Sequence, residues 1–449
     1  MHMSPGPSQA PIVACEPEAL AGKLWRILAP ESWPVPLEAL PQGTVLVGGA
    51  VRDALLGRLA PRPDLDLVVQ GDAVELARNL ARRLGGAVVV LDQERSIARL
   101  VLHGWTIDLA RCLGANLHDD LLRRDYSANA IALPLPAARS AGSAAADLNG
   151  DLVDPSGGLA DLAAGQMRAI SEANLLDDPL RLLRGMRLAC ELGFRLEATT
   201  AAWIRQHHQQ LQTVAGERIL AELERLAAAP DGAAGLALTV ESGLLECWRG
   251  DKAPQHTAGP PGDGGLLASL GRLTPEEATT RGLSRAETEQ ALPLARLAAV
   301  LAGEGLERLH ASRRRQQAVE RLRQWWERLR AVGGNPERLP EPERVLLQRQ
   351  LEADLPALAL LLDAEWARSA LRRWRDPADP LFHPRPPIDG TALQSQLNLK
   401  PSRELGQLLE HLTQERAFGR LPAQVDGDDG ETLTEARRWL SRGDVPRHG

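Results

Sequence analysis

The sequence predicts an α+β N-terminal unit, a mixed sheet with helices, followed by a long all-α remainder. Three observations lead there. Between Thr44 and Pro134, short apolar runs of strand length alternate with amphipathic stretches. From Asp161 the pattern turns helical and stays so almost to the end. Aromatic residues make up only 3% of the 449 residues. The core must therefore be built from Leu, Ala and Val, and Leu/Ala/Arg-rich sequence favours helix.

Taken in order, residues 1–43 are Pro-rich and weakly patterned, with one short helix expected around Glu18–Leu28. TVLV (44–47) reads as a buried strand, and GGAVRDALLG (48–57) as a glycine turn opening a helix. DLDLVV (64–69) is a strand, and AVELARNLARRLG (73–85) a helix ended by glycine. AVVVL (87–91), IARLVL (97–102) and WTIDLA (105–110) read as three more strands. The small, polar stretch 137–150 is expected to be a loop. DPLRLLRGMRLACEL (178–192) places Leu182, Met186, Ala189 and Cys190 near a 3.6-residue period, predicting one helix with Asp178 and Arg181 on one face. Residues 250–265 form a Gly/Pro-rich connector and 375–387 a second, Pro-rich joint. The expected division is an extension (1–43), a head (44–150), a helical neck (151–230), a helical body (231–385) and a helical tail (386–449).

Composition narrows the function classes. A net charge of −7 excludes a chain that is basic throughout, so any nucleic-acid contact must come from local patches. All but three of the 52 basic residues (Lys23, Lys252 and Lys400) are arginine, which suits bidentate phosphate binding. The four cysteines are scattered without CxxC spacing, against a disulfide framework or a structural zinc site. No run of 18 apolar residues exists, and the N-terminal MHMSPGPSQAP lacks the pattern of a secretory signal. The expected setting is the cytoplasm, without membrane contact.

The residues suited to chemistry lie in the first unit. On a strand, Asp64 and Asp66 project to one face, where they form either a solvated strand end or an oxygen-ligand pair for Mg²⁺. Upstream, Gly48 and Gly49 let a backbone approach a bulky anion, and Arg52 in the first helical turn can grip a phosphate. Asp108, in the strand Ile107-Asp108-Leu109, either completes a metal site or is a strand-end aspartate. The run RRDYSANA (123–130) carries Arg124, Asp125 and Asn129, which suit a triphosphate and ribose hydroxyls. Residues 307–330 contain eight arginines against three glutamates, with Trp325 and Trp326 among them: a phosphate-binding helix or a solvated amphipathic one.

GGAVRD, DLDL, RRDYSANA, DPSGGLADLAAGQMRAI (154–170), DDPLRLLRGMRLACELGF (177–194) and GERILAEL (216–223) occur in the order found in class II tRNA nucleotidyltransferases. This family comprises CCA-adding enzymes and their bacterial poly(A) polymerase relatives. The resemblance covers roughly residues 44–226, with a weaker match at 388–412. One departure is RRDYSANA where RRDFTINA is usual: Tyr126 and Ser127 keep the chemistry, and Ala128 thins the packing beneath. The resemblance implies a polymerase-β-like head adding nucleotides to RNA. Asp64 and Asp66 would hold two Mg²⁺ ions, with Asp108 as a third catalytic carboxylate. Gly48, Gly49 and Arg52 would hold the triphosphate; Arg124, Asp125 and Asn129 the ribose and phosphate. Asp178 and Arg181 match the family's nucleotide-reading motif, and Arg184 joins the nucleotide-binding set. Cytosine and adenine each offer an amino donor to Asp178 and ring acceptors to Arg181, whereas uracil and guanine reverse the pattern.

Full CCA-adding members carry a long flexible segment before the RRD motif. Here only RCLGANLH (111–118) separates Ala110 from Asp119, too short to project a lever. The resemblance therefore implies CC addition to the 3′ end of tRNA from CTP. Full CCA addition with ATP as well comes next, then poly(A) polymerase or a non-catalytic RNA-binding homologue.

Overall fold

A computed structural model describes residues 17–136, 151–249, 265–422 and 429–442. The expected loop 137–150 and most of the 250–265 joint lie outside the described residues. The chain divides into two compact units. The first comprises residues 1–214 with 242–244, and the second 215–241 with 245–449.

The first unit opens with helix α1 (Pro17–Leu28), where the short helix was expected. Strand β1 (Val45–Val47) leads through Gly48 into α2 (Gly49–Leu55). Then come β2 (Leu65–Val69), α3 (Ala73–Leu84), β3 (Ala87–Asp92), β4 (Ile97–Leu102) and β5 (Trp105–Arg111). Helix α3 begins where the Asp72 carboxylate accepts the Val74 and Glu75 N–H groups, and ends at Gly85 with φ 79°. A short helix α4 (Leu117–Leu122) precedes the 3₁₀ turn Ser127–Asn129 and β6 (Ala132–Pro134). The six strands form one sheet in the order β3-β4-β5-β2-β1-β6. Only β2 and β5 pair in parallel, so the sheet is mixed as expected. Leu65 and Leu67 of β2, Leu100 of β4, and Ile107 and Leu109 of β5 are buried. Their neighbours Asp66, Arg99 and Asp108 alternate with them and share the opposite face.

Helices α5 (Gly158–Ala164), α6 (Glu172–Asp177) and α7 (Leu180–Leu192) follow. Two expectations need correction here. The segment is not purely helical, because Gln166–Met167 and Arg195–Leu196 form a short parallel pair. Nor does one helix run from 178: α6 ends at Asp178, whose backbone is extended (φ −140°, ψ 97°), and α7 starts after Pro179. A residue before proline is driven out of the helical region, which breaks the helix there. Asp178 and Arg181 are therefore not on one helical face. Instead the Arg181 N–H donates to the Asp178 carbonyl across the bend, at 2.9 Å.

The second unit is helical throughout its described residues, with long helices at Arg285–Val300 and Arg313–Ala331. Arg296 is 1% exposed, its guanidinium donating to the Leu273, Ala227, Ala229 and Pro230 carbonyls. Near the end, Leu393, Leu408, Leu412 and Trp439 form a separate small core. Among the described residues, no helix is long and apolar enough to cross a membrane.

Candidate active site

Asp66 stands on β2 beside Val47 of β1 and Asp108 of β5 in the sheet register. Asp64 is exposed, one residue before the strand begins. Gly48 has φ 76°, and a Cβ there would lie 2.5 Å from Asp66 Oδ2. The glycine turn thus presses backbone against a carboxylate, as no other residue could. Burial raises the Asp66 carboxyl to about 6, with further upward pressure from Asp108 and Asp64, against Arg124 and Arg184.

Asp108 is held differently. Arg99, opposite it on β4, grips both its oxygens with Nε and Nη2 at 2.8 Å each. Among the described residues, no three His, Cys, Asp or Glu side chains converge as a ready-made metal-ligating group.

The second cluster bridges the turn at 127–129. Arg52 donates through Nη1 to Asn129 Oδ1 at 2.7 Å and pairs with Asp53. Asn129 Nδ2 reaches Asp125 Oδ1 at 3.4 Å, and Asp125 pairs with Arg184 of α7 at 3.2 Å. Arg52, Asn129, Asp125 and Arg184 therefore form one connected chain from α2 to α7. Burial pushes the Asp125 carboxyl upward, but Arg184, the Tyr126 N–H, Arg181 and Asn129 outweigh it and hold it below the usual range. Arg124 is tied to Asp120 at 3.2 Å.

The long motif 154–170 serves as scaffold for this turn. Asp154 accepts the Gly158 and Leu159 N–H groups, starting α5. Asp161 accepts the Ser127 hydroxyl at 2.5 Å and pairs with Arg168. A side chain at Gly158 would collide with the Ser127 carbonyl, so the helix packs directly on the turn.

Arg181 lies at the bend between α6 and α7. Its Nη1 donates to the Arg123 and Asn174 carbonyls at 3.1 and 2.8 Å. Its own carbonyl accepts the hydroxyl of Tyr126, which is fully buried and leans on Gly185. Two residues the sequence did not single out, Arg99 and Asn174, thus belong to the site's framework, and Tyr126 of the RRD motif serves it as a hydrogen-bonding buttress. Arg99 had a usable signal. His103-Gly104 is a two-residue hairpin turn, and counting outward from it pairs Leu102 with Trp105 and Arg99 with Asp108.

The description Poly A polymerase head domain matches residues 44–168, and Probable RNA and SrmB-binding site of polymerase A matches 193–248. A CC-adding tRNA nucleotidyltransferase of Synechocystis sp. is 33% identical, the match spanning 86% of this chain and 92% of that relative. An A-adding tRNA nucleotidyltransferase of Deinococcus radiodurans is 40% identical over 47% of this chain and 46% of its own length. Among solved structures, a CCA-adding enzyme with CTP superposes with a TM-score of 0.66 at 21% identity, covering 95% of this chain and 94% of that one. That likeness shows a shared fold. With identity of this level across nearly the whole length of a relative, the chain belongs to the tRNA nucleotidyltransferase and poly(A) polymerase family of enzymes.

Proposed function

We propose that this enzyme adds two cytidines to the 3′ end of tRNA from CTP, releasing pyrophosphate at each step, in the cytoplasm. Addition of nucleotides to the tRNA 3′ end is the activity its family membership supports. The finer reading, CC addition, is carried by one observation. Between β5 and α4 only Cys112–Asn116 intervene, and they are tied down. Cys112 N–H donates to the Val69 carbonyl, Leu113 N–H to Asp120, Ala115 N–H to Asp119, and Asn116 caps α4 through Asp119 N–H. A pinned turn of this length cannot swing into the site to reshape a base pocket.

The carboxylates fit Mg²⁺. Asp66 carries a charge that burial beside Asp64 and Asp108 disfavours, and hard oxygen donors are what that cation takes. Asp64 and Asp66 would hold it, and when bound it supplies positive charge to activate the 3′-hydroxyl and the α-phosphate. The remaining roles are proposed for the chain's own groups. The Gly48-Gly49 turn lets the triphosphate approach backbone N–H groups, with Arg52 facing the phosphates. Asp125 and Asn129, fixed between Arg52 and Arg184, would accept and donate to the ribose hydroxyls. Asp108, oriented by the Arg99 fork, would present its carboxylate on the same sheet face as Asp66. Asp178 and Arg181 would read the base. The five-part division into extension, head, neck, body and tail is likewise a proposal within the two compact units.

The test is product length. With a tRNA ending at the discriminator base, CTP, ATP and Mg²⁺, the main product is expected to gain two nucleotides and end in CC. A tRNA already ending in CC is expected to take up ATP poorly. Efficient three-nucleotide extension would assign full CCA addition instead, and efficient A addition to the CC end alone would assign the A-adding activity.

A further inference from the structure

The geometry points to Asn174 as a positioning residue that sets base selectivity by fixing one edge of the Arg181 guanidinium. This inference rests on the proposed base-reading role of Arg181. Asn174 sits in α6, where its N–H is capped by the Ser171 hydroxyl at 3.1 Å. Its side-chain Nδ2 donates to two carbonyls of the RRD segment, Leu122 at 2.8 Å and Arg124 at 2.7 Å. Two carbonyl oxygens demand two donors, so only the amide nitrogen can face them, and the orientation of the amide is unambiguous. The backbone carbonyl of the same residue accepts Arg181 Nη1, and the Arg123 carbonyl, between Asn174's two acceptors, takes the other Nη1 proton.

The consequence follows from guanidinium geometry. Of five donors, the two on Nη1 are consumed by backbone. Nε and Nη2 remain as a parallel fork on one edge, the arrangement that matches two adjacent acceptors such as N3 and O2 of cytosine. Uracil presents an N–H at the N3 position and meets the fork with donor against donor. A fork discriminates only if it cannot rotate away from a mismatched base. Asn174 supplies that restraint, because it locks the carbonyls that hold Nη1 to the segment carrying Arg124 and Asp125. Selectivity and ribose-phosphate binding are thereby built on one rigid frame.

The experiment compares kcat/KM for CTP and UTP, on tRNA lacking its terminal CCA, in wild type, Asn174→Ala, Asn174→Asp and Arg181→Ala. The CTP/UTP ratio is independent of the fraction of enzyme folded, so a merely unstable variant leaves it unchanged. Asn174→Asp keeps the shape but loses both donors, so it separates hydrogen bonding from packing. Both Asn174 variants are expected to lower the ratio by about tenfold, as a small displacement of a reading group does. The Asn174→Ala/Arg181→Ala double variant is expected to lower it no further than Arg181→Ala alone. If Arg181→Ala collapses the ratio while both Asn174 variants keep it, the positioning role is wrong and the reader stands. If Arg181→Ala itself leaves the ratio intact, the base-reading role fails and this inference falls with it.

Discussion

Asp66 illustrates how a single residue trades stability for a site. Its carboxylate is half-buried, pressed by the Gly48 backbone, and faces Asp64 and Asp108. Its folded pKa of about 6 lies above the ordinary 3.8. An acid with a raised folded pKa destabilises the native state while ionised. The penalty is full above pH 6 and vanishes as pH falls towards the unfolded value. Asp66→Asn removes that charge without removing the shape. In EDTA at pH 7.5 the variant is expected to be more stable than wild type by about 1–3 kcal/mol, and the gap is expected to shrink to about a third of that near pH 4.5 and to close below the unfolded value of 3.8. Saturating Mg²⁺ should raise the wild-type unfolding temperature and leave the variant's almost unmoved. Thermal unfolding at the two pH values, with and without metal, checks this; a variant less stable than wild type at pH 7.5 in EDTA would refute it.

At the scale of elements, the joint between two helices of the second unit shows the opposite sign. Ser284 and Glu287 form a capping box at the start of Arg285–Val300. Glu287 also takes two hydrogen bonds from Arg375, just past the helix Ala364–Trp374, at 2.9 and 2.6 Å. The Arg375 guanidinium is the main cause that lowers the Glu287 carboxyl to about 2. The stabilisation is present above the unfolded pKa near 4.5 and is lost as pH falls to about 2. Glu287→Gln is expected to cost about 1 kcal/mol at pH 7, modest because Arg375 is 39% exposed. By pH 2.5 most of that difference should have gone, measured by denaturant unfolding at both pH values. Elements of this kind were legible to different degrees. Residues 97–102 form a strand as read, because alternation and a two-residue turn are both local signals. The bend at Asp178 was masked by the good helical period on either side, although Pro179 marked it. Arg99 was legible only by counting outward from the His103-Gly104 turn, whereas Asn174 escaped because its partners lie some fifty residues away, where no periodicity reports a pairing.

At the scale of the whole chain, the arginine accounting changes the picture of how RNA would be held. The sequence offered residues 307–330 as a phosphate-binding or solvated helix; the structure breaks that stretch between helices Gly303–Arg308 and Arg313–Ala331. The structure turns Trp325 and Trp326 inward and engages many of its arginines internally. Arg315 pairs with Glu224, Arg321 with Asp354, and Arg328 with Glu343, while Arg323 donates to the Ala298 and Leu301 carbonyls. These groups stitch a Leu-rich helical unit together rather than forming one basic stripe. Affinity for tRNA, as proposed, must then come from contacts spread over the chain, each modest. The carboxylates contribute nothing attractive to that sum, since without a cation they repel phosphate. Asp64→Ala/Asp66→Ala is therefore expected to lower CTP incorporation by about 1,000-fold or more. The same variant should keep tRNA affinity within about threefold, and keep the slope of log affinity against log salt, to which each phosphate contact contributes about −0.7 to −0.9. Incorporation assays and binding across a series of KCl concentrations read the two quantities separately. Substantial turnover in the double variant would remove the carboxylates from the chemistry. A flattened salt slope would mean that losing them reorganises the surface that meets the RNA, so that the chemical site and the RNA-holding surface are one structure rather than two.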